Sequence, residues 1–269
     1  MVPGFRYIEY PALSQLSNVV RCYWTFEGPA VSQELHQKIL PNGSTELVFH
    51  FGDAYQNLSG ETIFAEPRRA FFGPTTSANM IRPTGTVKLA AIRFTPTGFY
   101  NLSKIPQHQI TNQILDIQQV KEIARHIYFP EFCDKDFVNI KQVFDSLLVK
   151  MYQISSAVTD SRINFALAQI EEKSGILSIT DLQKKVCLSE RRFEHLFKEH
   201  VGVSAKKYAE IVKINSAVNL LMNGWDNSLT NLAHSLNFYD QAHFIKSFRK
   251  ITGLSPGQFL SEHKGNFFF

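Results

Sequence analysis

Hydrophobic and polar positions divide the chain into two parts with different periods. Up to about residue 112, β-branched and aromatic runs at Arg21–Phe26, Thr45–Phe51, Glu61–Phe64, Ala70–Phe72 and Val87–Phe94 alternate with Gly-, Pro- and Asn-containing breaks at 27–29, 41–43, 58–60, 73–74 and 83–85. Short strands bounded in this way predict a β-rich sandwich or small barrel. A short helix is predicted over Gly98–Leu102, and longer helices over about Ile114–Tyr128 and Phe137–Tyr152. In the last of these, Ile140, Val143, Phe144, Leu147, Leu148 and Met151 form a broad apolar stripe. Such a stripe packs either on its own strands or on a second copy of the chain; the first is the simpler reading. Polar residues at Ser155, Ser156 and Thr159–Ser161 then mark a linker over 153–161, separating a domain of residues 1–152 from one of residues 162–269.

The second domain reads as helical throughout, and it contains one unit twice. In Leu232–Phe259, Leu232, Ala233 and Leu236 give one helical stripe, Phe244 and Phe248 give another, and the segment Asn237–Asp240 breaks between them. Asp240 is placed as an N-cap, Gly253 where a helix end needs positive φ, and Ser255 with Pro256 at the start of a final helix. Ser189, Phe193, Phe197, Lys198, Gly202, Ser204 and Tyr208 repeat Asp240, Phe244, Phe248, Arg249, Gly253, Ser255 and Phe259 at an offset of 51. Upstream, Leu182 pairs with Leu232 and Val186 with Leu236 at an offset of 50, so the second turn carries one extra residue. The predicted layout is a helix-turn-helix at about 178–200, a linking helix at 204–222, a second helix-turn-helix at about 228–252 and a final helix at 255–263.

These residues resemble the DNA-binding domain of the AraC/XylS family of transcription regulators, two helix-turn-helix units joined by a long helix. The most specific part is Phe244-x3-Phe248-Arg249-Lys250-x2-Gly253-x-Ser255-Pro256-x2-Phe259. The chain departs from the family pattern at Asn237, Lys213 and Leu260, where Gly, Arg and Arg are usual. Pro41–Asp53, Phe71–Ser77, Pro83–Gly85 and Ile92–Gly98 look like a sensor-like domain carried by a subset of these regulators. The fold class this gives is α+β, with a β-rich barrel or sandwich and helical connector followed by an all-α domain. The resemblance implies double-stranded DNA and RNA polymerase as partners, and activation rather than repression. A small-molecule effector and a homodimer are left open.

The Phe positions fix which side chains of each second helix face outward. In the first unit these are Arg191, His195 and Lys198, flanked by Arg192 and Glu194; in the second, Ala242, Lys246 and Arg249, with Gln241 and His243 near the helix start. Arg and Lys suit guanine, Gln suits adenine, Glu suits cytosine and Ala suits the thymine methyl. Each residue singly is also an ordinary solvated position, and Glu194 is equally an intrahelical partner for Lys198. The linking helix would hold the two faces near one DNA turn of about 34 Å apart. Lys184, Lys185, Lys206 and Lys207 are better placed for phosphates.

Composition narrows the classes further. With 269 residues, 44% hydrophobic and 13% aromatic, the chain can fill two cores. No apolar run approaches the roughly 18 residues of a membrane span, and no secretion signal is read at residues 1–11, so a cytoplasmic location without membrane contact is expected. The net charge of +4 makes no case for nucleic acid, and its distribution, +3 from Asp160 onward, adds little. Cys22, Cys133 and Cys187 have no metal or disulfide spacing and read as buried or half-buried thiols. No HxH, GxSxG or phosphate-cradling glycine loop occurs, so no catalytic residue, metal or cofactor is assigned. His50 either lines a pocket or is a satisfied strand residue. Arg82 and Arg93 bind an anionic effector or pair with Glu46, Glu61 or Glu66. The reading from another class is a β-barrel small-molecule binder or enzyme with a helical protein-contact tail.

Overall fold

Strand-forming runs assemble into two sheets in a computed structural model that describes residues 4–31, 36–59, 62–123, 129–155, 160–225, 227–262 and 267–268. In chain order the strands are β1 (Arg6–Tyr10), β2 (Val20–Gly28), β3 (Gln37–Ile39), β4 (Glu46–His50), β5 (Gln56–Ser59), β6 (Thr62–Ala65), β7 (Arg69–Phe72), β8 (Asn79–Arg82), β9 (Val87–Phe94), β10 (Ile114–Asp116) and β11 (Phe267–Phe268). One sheet runs β1-β2-β9-β4-β7-β10 and the other β11-β3-β8-β5-β6. The described strands therefore form two separate sheets and no closed barrel. All pairs are antiparallel except β11 with β3.

The two-residue period of a strand gives the first sheet two apolar faces. Leu47 and Phe49 of β4, Phe71 of β7 and Ala90, Ile92 and Phe94 of β9 share one core with the connector helices. Val48, Leu89 and Ala91 point the other way, joining Phe26, Tyr55 and Ile81 in a core between the sheets. His50 shares a face with Val48, which sends it between the sheets too.

The helices are α1 (Gly98–Ser103), α2 (Ile117–Ile123), α3 (Asp134–Val138), α4 (Ile140–Ile154), α5 (Ser161–Glu172), α6 (Ile179–Lys185), α7 (Glu190–Val201), α8 (Ala205–Met222), α9 (Leu229–Ser235), α10 (Gln241–Thr252) and α11 (Pro256–Glu262). The apolar stripe of α4 packs on its own domain, with Ile140, Phe144, Leu148 and Met151 in the first core. Two expected helices begin later than their patterns: Ile114–Asp116 pairs with Phe72–Ala70 as a strand before α2 begins, and Asn139 separates α3 from α4. Gly60 and Glu61, residues 124–128, 156–159 of the expected linker, and residue 263 of the expected final helix lie outside the described residues. Of the three cysteines Cys22 is buried, whereas Cys133 and Cys187 are exposed, correcting the expectation for those two. Both sit at helix boundaries, Cys133 as the N-cap of α3 and Cys187 in the turn after α6, where the side chains point to solvent while their neighbours Phe132, Val186 and Leu188 pack inward.

The duplicated unit folds as two matching modules. Ser178 and Ser228 cap α6 and α9, Ser189 and Asp240 cap α7 and α10, and Gly202 and Gly253 end the latter two with φ of +93° and +75°. Each capping oxygen accepts from the amide three residues on, satisfying one of the helix's unpaired donors. Phe193, Phe197 and Tyr208 fill the first module's core and Phe244, Phe248 and Phe259 the second's, with α8 contributing to both.

Candidate nucleic-acid interface and sensor cavity

The outward faces of α7 and α10 are fixed by the aromatic residues buried on their inward sides. Phe193, Leu196 and Phe197 are buried, leaving Arg191, Arg192, His195 and Lys198 exposed and Glu194 half-buried. Glu194 reaches Lys198 at 3.9 Å and His195 reaches Glu199 at 3.4 Å, so part of this face is paired within the helix. Arg191 and Arg192 stand at the N-terminal end of α7, exposed. On α10, Ala242, His243, Lys246 and Arg249 are exposed; Gln241 is half-buried and its amide oxygen accepts from the Thr230 hydroxyl at 2.6 Å.

The extra residue of the second turn can now be identified. Cys187 and Asn237, at the 50-residue offset, occupy the same left-handed position, with φ of +54° and +53°. Leu188 and Phe238 follow as matching apolar residues, so Tyr239 is the insertion, 88% exposed beside the α10 cap. Tyr239 was not singled out from the sequence, although the change of offset from 50 to 51 pointed to it. Lys213 of α8 lies over the Phe238 ring at 5.0 Å, tying the linking helix to the second turn.

The first domain touches both modules. Tyr100 stacks on His200 at 4.2 Å and donates to Glu199 at 3.1 Å, while Thr111 donates to the Gly202 carbonyl at 2.9 Å. Glu171 accepts from Arg21 at 2.9 Å and from the buried Tyr208 hydroxyl at 2.6 Å. At the second module, the Pro41 carbonyl accepts from Asn215, the Ala78 amide donates to the Ile251 carbonyl, and Leu40 is buried in that module's core.

Leu40 also lines a cavity of about 90 Å³ between the two sheets, with Trp24, Ile39, Val48, Phe72 and Leu89 as apolar wall. By this measure a water takes roughly 10–15 Å³, so the space suits a compact molecule. His50 lines it, its side chain 1% exposed and 3.4 Å from a Glu66 side chain that is 2% exposed. That contact joins Nε2 to Oε2, and neither ring nitrogen of His50 nor Oε1 of Glu66 has a hydrogen-bond partner among the described residues. Tyr55, its ring 5.8 Å from that of His50, also has an unpaired hydroxyl; burial, then the Glu66 carboxylate, pushes that phenol's pKa up, so it stays protonated. Arg82 and Arg93 do not join this cluster: Arg82 donates to Gln56 at 3.1 Å, and Arg93 pairs with Glu46 at 2.6 Å and Glu9 at 3.4 Å. Glu66 and Tyr55 were not linked to His50 from the sequence, since a 16-residue gap carries no periodic signal. Among the described residues no group of His, Cys, Asp and Glu is arranged to hold a metal ion.

The sequence family described as "Helix-turn-helix domain" matches residues 182–262. The chain is 31% identical over 102 residues to the arabinose operon regulatory protein of Salmonella typhimurium, covering 37% of this chain and 36% of that one. The C-terminal domain is an AraC-type helix-turn-helix domain. The family described as "Domain of unknown function (DUF6597)" matches residues 8–116, the β-rich part that precedes the AraC-type domain. An uncharacterised helix-turn-helix transcriptional regulator of Escherichia coli, YidL, is 27% identical over 177 residues, 63% of this chain and 58% of that one. The chain thus spans between about a third and three fifths of the length of these two curated relatives. Among solved structures, ToxT from Vibrio cholerae aligns at 9% identity over 96% of this chain and 98% of that chain, with a TM-score of 0.49.

Proposed function

We propose that the chain is a sequence-specific DNA-binding transcription regulator whose two recognition helices, α7 and α10, read successive major grooves of one duplex. The observation that carries this reading is the paired exposure of Arg191 and Arg192 on α7 with Lys246 and Arg249 on α10, in two modules joined by α8. The 18 residues of α8 span roughly 27 Å, commensurate with one helical turn of DNA of about 34 Å. Tyr239 extends the α10 contact to the sugar-phosphate backbone. Lys198 is free for DNA once it leaves Glu194. The relatives that match are transcription regulators, which supports a non-enzymatic role in the cytoplasm, with RNA polymerase as the partner of an activator.

The β-rich domain acts in this reading as the control element. Leu40 belongs both to the cavity wall and to the core of the second module, so an occupant that moves β3 also moves the seat of α10. Selection of bound duplexes from a random pool tests the whole reading. Two enriched blocks one turn apart are expected from the full chain. Arg191→Ala with Lys246→Ala should lower affinity and flatten the salt dependence, by about 0.9 in log-log slope per lost phosphate contact. Unchanged affinity and slope in a folded double variant would reject these faces as the DNA contacts.

A further inference from the structure

The cavity between the sheets has an unusual polar end. Four atoms of three clustered, buried residues lack partners there: Nδ1 and Nε2 of His50, Oη of Tyr55 and Oε1 of Glu66. Buried donors and acceptors favour a hydrogen-bonding partner, and these four atoms present themselves together to one. The wall contains no Lys or Arg. Its other carboxylate, Glu46, already accepts from Arg93, Asn42 and Trp24. Glu66 by contrast stands beside His50, at 3.4 Å, and Tyr55, with its Oε1 unpaired among the described residues.

The chemistry of these groups is one-sided. An ionised carboxylate can only accept hydrogen bonds, a phenol can accept as well as donate, and a neutral imidazole keeps one accepting nitrogen. A donating head can therefore bond Oε1 of Glu66, Oη of Tyr55 and one ring nitrogen of His50, whereas an anionic head meets the Glu66 carboxylate with no Lys or Arg on the cavity wall. Trp24 and Phe72 on the wall add aromatic faces, which attract cations and cover apolar carbon. Resting on the reading of this domain as the control element, we propose that the cavity binds a small primary amine. Its ammonium sits against Glu66, Tyr55 and His50, and a compact apolar body of about the size of a branched five-carbon chain lies toward Val48, Phe72 and Leu89. Arg82 and Arg93, considered for an anionic effector, are held by Gln56, Glu46 and Glu9 and do not line this cavity.

Calorimetric titration of the full chain, without DNA, with 3-methylbutylamine, 3-methylbutan-1-ol and 3-methylbutanoate at pH 7 tests this directly, because the three differ only in their heads. The amine is expected to bind at least tenfold more tightly than the alcohol, with no binding of the acid. Glu66→Gln should abolish the preference for the amine, and Tyr55→Phe should weaken it with the circular dichroism unchanged. Equal or tighter binding of the alcohol or the acid overturns the amine assignment while leaving the cavity as a ligand site. No binding of any of the three overturns it as well. Neither result bears on DNA recognition, which the duplex selection measures separately; loss of DNA binding with the amine preference intact would instead reject the regulator reading.

Discussion

Left-handed backbone at Cys187 and Asn237 shows how the two turns are chosen residue by residue. With φ of +54° and +53°, both positions place a side chain where an L-residue is strained. Asn tolerates the conformation better than most; Cys has no such excuse, and its thiol is exposed and unneeded for packing. Cys187→Gly is therefore expected to stabilise the chain by about 0.5–1 kcal/mol, read as a higher urea midpoint with unchanged slope. A lower midpoint would mean that the turn relies on the Cys187 side chain. Caps and aromatic core positions of this kind were legible in the sequence, since their spacing is local: Asp240, Gly253 and Phe248 stand as expected. The cluster of His50, Tyr55 and Glu66 was not, because it arises only when β4 and the ends of β5 and β6 fold together.

Elements follow their patterns where packing is local and depart where a distant partner decides. The strand-forming run of β9 and the apolar stripe of α4 stand where they were expected. In contrast β3, β8 and β10 are only three or four residues long and take their form from pairing, as Ile114–Asp116 does by adding to β7 within a run that reads as helix. A segment as short as Leu40–Gly43 nonetheless couples the domains. Leu40 is 3% exposed inside the second module, and a Cβ at Gly43 would lie 2.4 Å from the Tyr208 ring. Leu40→Ala should cost about 2–5 kcal/mol in the unfolding of the full chain; a loss under about 1 kcal/mol, no more than an ordinary surface change, would show that the docking is loose. The inserted Tyr239 gives the opposite expectation. Tyr239→Ala should leave stability within about 0.5 kcal/mol yet weaken DNA binding by roughly the 0.5–1.5 kcal/mol of one hydrogen bond. Gel-shift affinities equal to those of the unaltered chain would remove it from the interface.

At the scale of the whole molecule, the seam between the β-rich domain and the first module contains a titrating group. His200 is buried against Tyr100, and burial lowers its pKa from the ordinary 6.5; nearby Lys104 and Arg192 push the same way, while Glu199 and Asp160 oppose them. Folding thus weakens the hold of this imidazole on a proton. As pH falls below about 6.5 the unfolded chain takes up a proton that the folded seam resists, so the contribution present above that pH is lost through the lowered folded value. Asp160, which caps α5, has the reverse assignment of charge but the same direction in pH. The Arg162 side chain holds its carboxyl down at about 2 from 3.8, so its contribution is present above 3.8 and lost toward 2. Above about pH 5 the Asp160 carboxyl is ionised in both states. Between pH 7 and 5 the loss belongs to His200 alone of this pair, and His200→Phe, which keeps a ring against Tyr100, should flatten it. Urea midpoints of the two proteins are expected to converge or cross as pH falls over that range, whereas parallel curves would show that the seam does not depend on a neutral His200. Since Glu199 and His200 lie in the last turns of α7, this seam joins the β-rich domain to the recognition helix that carries Arg191 and Arg192.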